Sequence, residues 1–297
     1  MIDALTRTFP YVTLDVFTQQ RFGGNPLAVV TDARGLSDAE MQALAAEFNY
    51  SETTFVLPPA DPAHTAQVRI FNRTYEMPFA GHPNVGTGFV LAGQGRGDVL
   101  VFEEQAGLVE VRVTRDAGGA LTGATIDAPQ PLSLGMQPSV AAVAACVGLD
   151  ARDVIVGTHA PVVASVGVTF LLAEVTAEAL GRAAPDPLAF RNLLDASPDM
   201  NGRLSIHIYA HNGADRLRAR MFSPLAGTWE DPATGSANAA LAALLLGADE
   251  TRSFEVAQGV EMGRPSLLSL SAHRGADGVR ARVGGYCVPV FEGVVRL

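Results

Sequence analysis

Hydrophobic and polar positions alternate along some stretches of this chain and follow a helical period along others. The stretches "YVTLDVFT" (11–18) and "RLSIHIYAHN" (203–212) alternate and are rich in β-branched and aromatic residues, which predicts strands. "SDAEMQALAAEFN" (37–49) begins with a serine and a glutamate at capping-box spacing and then repeats apolar residues every three to four positions. This pattern predicts an amphipathic helix.

Other stretches extend the same alternation of strands and helices. "VGTGFVLAG" (85–93) and "GSANAALAALLLG" (235–247) are apolar enough to be buried helices, and "DPLAFRNLLDAS" (186–197) is also predicted to be helical. The glycine-punctuated region 99–129 is typical of a β-meander. The chain therefore mixes strands with short helices throughout its length.

One small motif occurs twice. "EMPFAGHPN" (76–84) and "EDPATGSAN" (230–238) share the pattern E-x-P-x-x-G-x-x-N, at an offset of 230 − 76 = 154 residues. Each copy lies between a predicted strand and a short apolar helix, which indicates two similar domains. We place the boundary in "IDAPQPLS", giving domains at 1–128 and 129–297, and we expect the segment 285–297 to pack back onto the first domain.

Composition supports this organisation and narrows the function. A chain of 297 residues exceeds the usual size of one core, and 48% hydrophobic against 18% charged residues argues against disorder. The formal charge of −10 disfavours nucleic acid or an anionic membrane as a partner. All 21 basic residues are arginine, so Schiff-base enzymes that use a lysine and P-loop enzymes are excluded.

No metal site or disulfide framework is expected. The two cysteines are far apart in sequence and outside any C-x-x-C motif, so we predict that both are buried structural residues. Four of the histidines outside the repeated motif show no zinc-type spacing. These residues are Cys146, Cys287, His159, His207, His211 and His273. Without a signal-peptide pattern or a spanning apolar run, we expect a cytoplasmic protein.

The repeated turn is a candidate receptor for an anion. The first N–H groups of a helix lack internal partners and carry positive potential, and a glycine allows a ligand to approach the backbone. Gly81 and Gly235 are followed by His82 and Ser236, which place one polar side chain at each helix start. One copy alone could be an ordinary helix cap. Two copies with four matching positions favour ligand binding.

Four motifs in order, "GGNPLAVV", "NYSETTFV", "EMPFAGHPNVGTG" and "EDPATGSANAAL", resemble the PhzF-like family, named for the phenazine biosynthesis isomerase. The resemblance implies an α+β fold of the diaminopimelate epimerase type. In that fold, two pseudo-twofold-related domains each wrap a curved, mostly antiparallel β structure around a central helix. It also implies an active site in the interdomain cleft, no cofactor and a homodimer.

The resemblance assigns roles by position. Glu52 matches the catalytic acid/base, His82 a hydrogen-bonding or proton-relay residue, and Asp231 a residue that holds a substrate hydroxyl or amine. The substrate-binding positions are Asn25, Ser51, Gly81, Gly235 and Ser236. Racemases of this fold carry a cysteine before each motif glycine, whereas this chain has Ala80 and Thr234. Two-thiol racemisation is therefore disfavoured. Asn84 replaces a threonine found in many relatives, which affects the choice of substrate more than the chemistry.

We therefore predict a cofactor-independent isomerase that moves a proton between carbons of a small carboxylate by glutamate acid/base catalysis. The model reaction is that of trans-2,3-dihydro-3-hydroxyanthranilate isomerase. Two alternatives remain: an epimerase, racemase or dehydratase of an amino or hydroxy acid, and a non-catalytic protein that binds small molecules. A carboxylate at position 52 favours catalysis, because an anion-binding protein gains nothing from a negative charge opposite its ligand.

Overall fold

A computed structural model describes residues 7–197, 200 and 202–297. The chain forms two compact units. The first comprises residues 1–127 and 284–297, and the second comprises residues 128–283. The first six residues of the predicted N-terminal domain lie outside the described residues.

The described residues of the first unit form eight complete strands and two helices. The strands are β1 (Thr8–Val16), β2 (Asn25–Val30), β3 (Glu52–Leu57), β4 (Ala66–Asn72), β5 (Glu76–Met77), β6 (Val99–Glu104), β7 (Gly107–Arg115) and β8 (Leu121–Asp127). The helices are α1 (Asp38–Phe48) and α2 (Gly81–Gly93). The last strand of the chain, β18 (Gly278–Arg296), begins in the second unit and ends in this one.

All of these strands except β5 form a closed ring around α2. β1 pairs antiparallel with β2, β2 runs parallel to β3, and β3 pairs antiparallel with β4. β4 runs parallel to β6, the strands β6, β7 and β8 form a meander, and β18 pairs with both β8 and β1. α2 packs against β1, β2, β3, β7 and β8, and twelve of its thirteen residues are buried. The apolar sequence of this helix is therefore explained by its central position.

The second unit contains the remaining elements. The strands are β9 (Ser133–Leu134), β10 (Val154–Ile155), β11 (Val162–Ser165), β12 (Thr169–Val175), β13 (Ile206–His211), β14 (Arg216–Ser223), β15 (Thr228–Asp231), β16 (Thr251–Gln258) and β17 (Ser266–Gly275). The helices are α3 (Val140–Cys146), α4 (Ala177–Arg182), α5 (Pro187–Asp195) and α6 (Gly235–Leu245). Short 3-10 turns occupy Ala151–Asp153 and Pro224–Ala226.

The second unit repeats the strand order of the first. β12 runs parallel to β13, β13 pairs antiparallel with β14, and β14 pairs antiparallel with β15 and parallel with β16. α6 packs against β11, β12, β16 and β17, and nine of its eleven residues are buried. The predicted α+β fold, with a central helix in each of two similar halves, is confirmed.

Most of the predicted helices are confirmed, with two differences at specific elements. α1 follows the sequence pattern closely, with Ser37 and Glu40 forming the capping box. α2 begins at Gly81 rather than at Val85, because Pro83 lies in the first turn, where a helix tolerates proline. α4 was not predicted, since six residues are too few to show helical periodicity.

Candidate active site

Four of the predicted site residues form a connected group in the first unit. Glu52 is the first residue of β3, and its Oε2 lies 3.3 Å from Nδ1 of His82, in the first turn of α2. The same Nδ1 lies 3.4 Å from Nδ2 of Asn25, the first residue of β2. The Ser51 hydroxyl donates a hydrogen bond of 3.3 Å to Asn25 Oδ1. The parallel pairing of β2 with β3 brings their first residues to one end of the ring, beside α2.

His82 is a neutral imidazole in this group. Its side chain is 5% exposed, against 17% for Glu52, and its Nε2 has no hydrogen-bond partner among the described residues. Burial lowers the pKa of His82 to about 3, and the Pro26 carbonyl only partly opposes that shift. At neutral pH His82 therefore carries no charge, and according to its tautomer Nδ1 either donates to the Glu52 carboxylate or accepts from Asn25 Nδ2. Such a group can orient a carboxylate and follow its changes of protonation.

In the second unit, Asp231 is held in place at the start of the second motif. It is the last residue of β15 and is buried. The Thr234 hydroxyl donates a 2.6 Å hydrogen bond to its Oδ2, and the Gln258 side-chain amide donates a 2.9 Å bond to its carbonyl. Gly235 and Ser236 follow as the first two residues of α6, with Ser236 half-buried. The three predicted residues of this unit therefore lie in one short segment.

The two motif helices differ in their N-caps from the four other α-helices in the described part of the chain. At α1, α3, α4 and α5 the N-cap side chain accepts a hydrogen bond from the first turn. At α2 the N-cap is Ala80, which has no polar side chain, and at α6 the Thr234 hydroxyl is directed to Asp231 instead. The alternative interpretation of both turns as ordinary caps is therefore not supported. Their first turns keep N–H groups that no N-cap side chain covers.

The motif glutamates are structural, a role that sequence reasoning missed. Arg69 binds both carboxylate oxygens of Glu76, at 2.7 and 2.6 Å. Arg220 binds both oxygens of Glu230, at 2.8 Å each. Each arginine precedes its motif in an R-x-F stretch and lies over the phenylalanine ring two residues later. The repeated "RIF" and "RMF" carried the signal for this pairing.

Gln258 is a second residue that sequence reasoning missed. It is fully buried at the end of β16, and its Oε1 accepts hydrogen bonds from Thr234 N at 3.2 Å and Asn238 Nδ2 at 2.7 Å. Its Nε2 donates to the Asp231 carbonyl and to the Thr234 hydroxyl, at 2.9 and 3.0 Å. This side chain therefore fixes both the turn before α6 and the first turn of the helix.

The strand registers show which site residues lack a counterpart in the other unit. In the first unit Thr53 pairs with Phe71, and in the second unit Ile206 pairs with Phe222, the equivalent phenylalanine. Thr53 and Ile206 are therefore equivalent, and so are the residues that precede them. Glu52 therefore corresponds to Ser205. The motif alignment likewise places Met77 at the position of Asp231. Glu52 belongs to the first unit alone, and Asp231 to the second alone.

Thiol and metal chemistry find no support in the described residues. Both cysteines are buried, and burial raises the pKa of the Cys146 thiol to about 12 and that of Cys287 still further. Neither lies at the motif positions, Ala80 and Thr234. Within 7–197, 200 and 202–297, no three His, Cys, Asp or Glu side chains are arranged to hold a metal ion.

Comparisons with known proteins agree with this architecture. The family model described as phenazine biosynthesis-like protein matches residues 14–293. An uncharacterized isomerase of Mesorhizobium japonicum is 39% identical, with 97% of this chain and 98% of that protein covered. The trans-2,3-dihydro-3-hydroxyanthranilate isomerase of Pseudomonas chlororaphis is 35% identical, with 97% and 99% covered. The chain is thus similar to isomerases over nearly its whole length.

Solved structures show the same fold. A PhzF-family phenazine biosynthesis protein of Bacillus anthracis matches with a TM-score of 0.86 at 26% identity, covering 97% of this chain and 99% of that one. Epimerase and racemase structures share the fold at lower identity. Among the described residues, no helix is both long and apolar enough to span a membrane.

Proposed function

Because the chain belongs to the phenazine biosynthesis-like protein family and is an isomerase, we propose that it moves a proton between two carbons of a small carboxylate-bearing molecule without a cofactor. The observation that carries the proposal is the pair formed by Glu52 and His82, with Nδ1 at 3.3 Å from Oε2. A relative with a named substrate acts on trans-2,3-dihydro-3-hydroxyanthranilate, which makes a cyclic, conjugated amino or hydroxy acid the first substrate class to test.

In the proposed reaction Glu52 is both base and acid. Its carboxylate takes a proton from a substrate carbon, so that a C–H bond breaks, a carboxyl O–H bond forms, and the electron pair enters the conjugated system. The double bond shifts, and Glu52 returns the proton to a second carbon, which restores the carboxylate. No oxidant, reductant or leaving group is needed, since the product is an isomer of the substrate.

The neighbouring residues have supporting roles in this proposal. His82 is neutral, so it does not supply a proton as an imidazolium; it orients the Glu52 carboxyl through Nδ1. Asn25, whose Oδ1 accepts a hydrogen bond from the Ser51 hydroxyl, lies beside the imidazole, with its Nδ2 3.4 Å from the same Nδ1. Positioning of this kind keeps a general base within reach of the reacting carbon.

Each motif helix is a proposed binding element for negative charge. In the first unit the proposed donor is the Gly81 backbone N–H, and in the second unit the proposed donors are the backbone N–H groups of Gly235 and Ser236 with the Ser236 hydroxyl. Asp231, held by Thr234, would accept a hydrogen bond from a substrate hydroxyl or amine. Homodimer formation remains a prediction from the resemblance, and a cytoplasmic location remains a prediction from the sequence pattern.

The proposal is tested with deuterated water. The purified protein is incubated with trans-2,3-dihydro-3-hydroxyanthranilate and with a panel of small amino and hydroxy acids, and carbon-bound deuterium is followed by mass spectrometry. We expect isomerisation by the wild type and a loss of about a hundredfold or more in Glu52→Gln, the usual contribution of a general acid–base group. Glu47→Gln is the matched control, because Glu47 is exposed on α1.

Three other outcomes would contradict the proposal. Full activity in Glu52→Gln would remove Glu52 from the chemistry. Inversion or water loss at a single carbon, in place of a shifted double bond, would favour the epimerase or dehydratase alternative. Binding of a panel compound that is unchanged by Glu52→Gln, with no turnover by the wild type, would favour a non-catalytic protein.

A further inference from the structure

Glu104, the last residue of β6, is a buried carboxyl group outside the proposed acid–base set. Both of its oxygens are buried, and neither has a hydrogen bond within 3.5 Å among the described residues. The side-chain amide of Asn84 in α2 is the neighbouring polar group that affects the pKa of this carboxyl. Burial raises the pKa of Glu104 to about 8, and Asn84 only partly opposes that shift. Such a group is costly as an anion and needs a structural explanation.

Glu104 occupies the position that Gln258 occupies in the second unit. The 154-residue offset of the two motifs continues without a gap to these residues, since 258 − 104 = 154. The strand registers agree. In the first unit Ala66 pairs with Phe102, which lies two residues before Glu104. In the second unit Leu217, the counterpart of Ala66, pairs with Val256, which lies two residues before Gln258. The two side chains are therefore equivalent in the duplicated fold.

Asn84 and Asn238, the last residues of the two motifs, are also equivalent. Asn84 Nδ2 donates to the Ala80 carbonyl at 3.0 Å, and Asn238 Nδ2 donates to the Thr234 carbonyl at 2.9 Å. In the second unit the same Nδ2 also binds Gln258 Oε1. Each unit therefore places a residue at the end of a strand beside the asparagine of its central helix.

A neutral carboxylic acid can replace the amide of Gln258, but a carboxylate cannot. The acid has one carbonyl oxygen that accepts and one O–H that donates, as a primary amide has an acceptor and a donor. A carboxylate only accepts, and at this position it would be a buried charge without a cation. We propose that Glu104 is a positioning residue that holds the first turn of α2, and with it His82, only while its carboxyl group is neutral. The catalytic part of this inference rests on the proposed function.

On β6 and its neighbour β4, the charged residues other than Glu104 are Glu103 and Arg69, and both are engaged elsewhere. Glu103 points to the other face of β6, where its carboxylate accepts hydrogen bonds from His64 and from the backbone of the 60–61 turn, at 2.8 to 2.9 Å. Arg69 of β4 is bound to Glu76 and Asp38. The turn after β6 is tied to the turn before α2 by a 3.1 Å hydrogen bond from Ala106 N to the Pro78 carbonyl. The segment that follows β6 is therefore connected to the segment that precedes α2.

Glu104→Gln is the decisive variant, because it fixes the neutral form. In the wild type, turnover should fall about tenfold between pH 7 and pH 9, as a group with a pKa near 8 loses its proton. Glu104→Gln should keep wild-type turnover at pH 7 and lack that alkaline fall. Glu104→Met removes the polar group but keeps the side-chain length, so it should fold and lose about tenfold in kcat at every pH.

Stability gives an independent readout that needs no substrate. The folded-state pKa of about 8 lies above the ordinary value of 4.5, so the folded protein keeps a proton that the unfolded chain releases between those pH values. The unfolding midpoint in urea should therefore fall as pH rises through this window, relative to Glu104→Gln, and the difference should level off above about pH 8. Glu103→Gln, which changes an ionised neighbour, should leave that fall in place.

The two readouts separate this proposal from the proposed function. If no substrate is turned over, the stability comparison still decides the state of Glu104. Parallel pH dependence of stability in the wild type and Glu104→Gln, or failure of Glu104→Gln to fold, would overturn the inference. Equal kcat values in the Met and Gln variants would overturn the positioning role and leave Glu104 as a merely buried group.

Discussion

Arg220 provides the sharpest test of the conclusion that the motif glutamates are structural. Its side chain is 8% exposed, that of Glu230 is 10% exposed, and the two are joined by two hydrogen bonds of 2.8 Å. The remaining guanidinium nitrogen donates to the carbonyls of Leu180 and Ala183, at 3.0 and 2.7 Å. Replacing Arg220 with methionine removes four hydrogen bonds and leaves the largely covered Glu230 carboxylate without its arginine partner.

The expected cost follows from that geometry. Removing one partner of a buried ion pair costs about 3–5 kcal/mol, because the other charge is left uncompensated. The two carbonyls each lose a donor, worth about 1 kcal/mol, although part of that loss overlaps with the first term. We expect Arg220→Met to lower the free energy of unfolding by about 5 kcal/mol. For a protein of ordinary stability, about 5–15 kcal/mol, this is a large fraction.

Arg69 is the matched control in the first unit. It makes the same two-pronged contact with Glu76, but its side chain is 21% exposed, and its second partner, Asp38, is 82% exposed. Water can therefore solvate the carboxylates that Arg69→Met leaves behind. We expect a cost of about 2 kcal/mol for this variant, clearly below that of Arg220→Met.

Urea unfolding at pH 7 measures both variants, with the midpoint and slope compared to exclude a change in the denatured state. The double variant Arg220→Met with Glu230→Leu should recover much of the loss, because no buried charge remains. Equal costs at Arg69 and Arg220 would refute the argument from burial. A double variant no more stable than Arg220→Met would refute the role of the unpaired carboxylate.

Two further predictions concern packing and thiol reactivity. Gly86→Ala should lower the free energy of unfolding, measured in urea, by about 1–3 kcal/mol, because the new Cβ would lie 2.5 Å from a methyl group of Leu27. Gly93→Ala is the control and should be neutral or slightly stabilising, because its Cβ would lie 3.9 Å from the nearest neighbouring atom. An equal loss of stability in Gly93→Ala would contradict the steric explanation. Cys146 and Cys287 should resist iodoacetamide at pH 8 in the folded protein and react in urea, because both thiols are buried and burial raises their pKa values. Mass spectrometry measures the labelling, and labelling of the native protein would contradict their burial.

The fold was predictable where local chemistry and global packing agree. The Ser37 capping box marks the start of α1, and the alternation in β13 marks a strand that pairs on both sides. The duplicated motif indicated two similar halves. The closure of the strand ring by β18 depends on pairings between residues more than a hundred positions apart, and no local pattern records such pairings.

The candidate site was predictable in its residue types but not in its connections. The resemblance named Glu52, His82 and Asn25, and the structure brings these three side chains together. The resemblance gave no reason to separate Glu76 or Glu230 from the ligand-binding part of the motif. Each of these carboxylates is held by an arginine on another strand, and that contact between strands identifies them as structural.

The asymmetry of the two units bears on the stereochemistry of the proposed reaction. Enzymes that invert a carbon with two bases need one proton-transfer group on each side of the substrate. Here the only unit with a carboxylate at the equivalent strand start is the first, since Ser205 replaces Glu52 in the second and its hydroxyl contacts that of Ser223 at 2.8 Å. A single base must return the proton to the face from which it took it. The two units thus share similar helix starts, whereas Glu52, the acid–base group of the proposed reaction, belongs to the first unit.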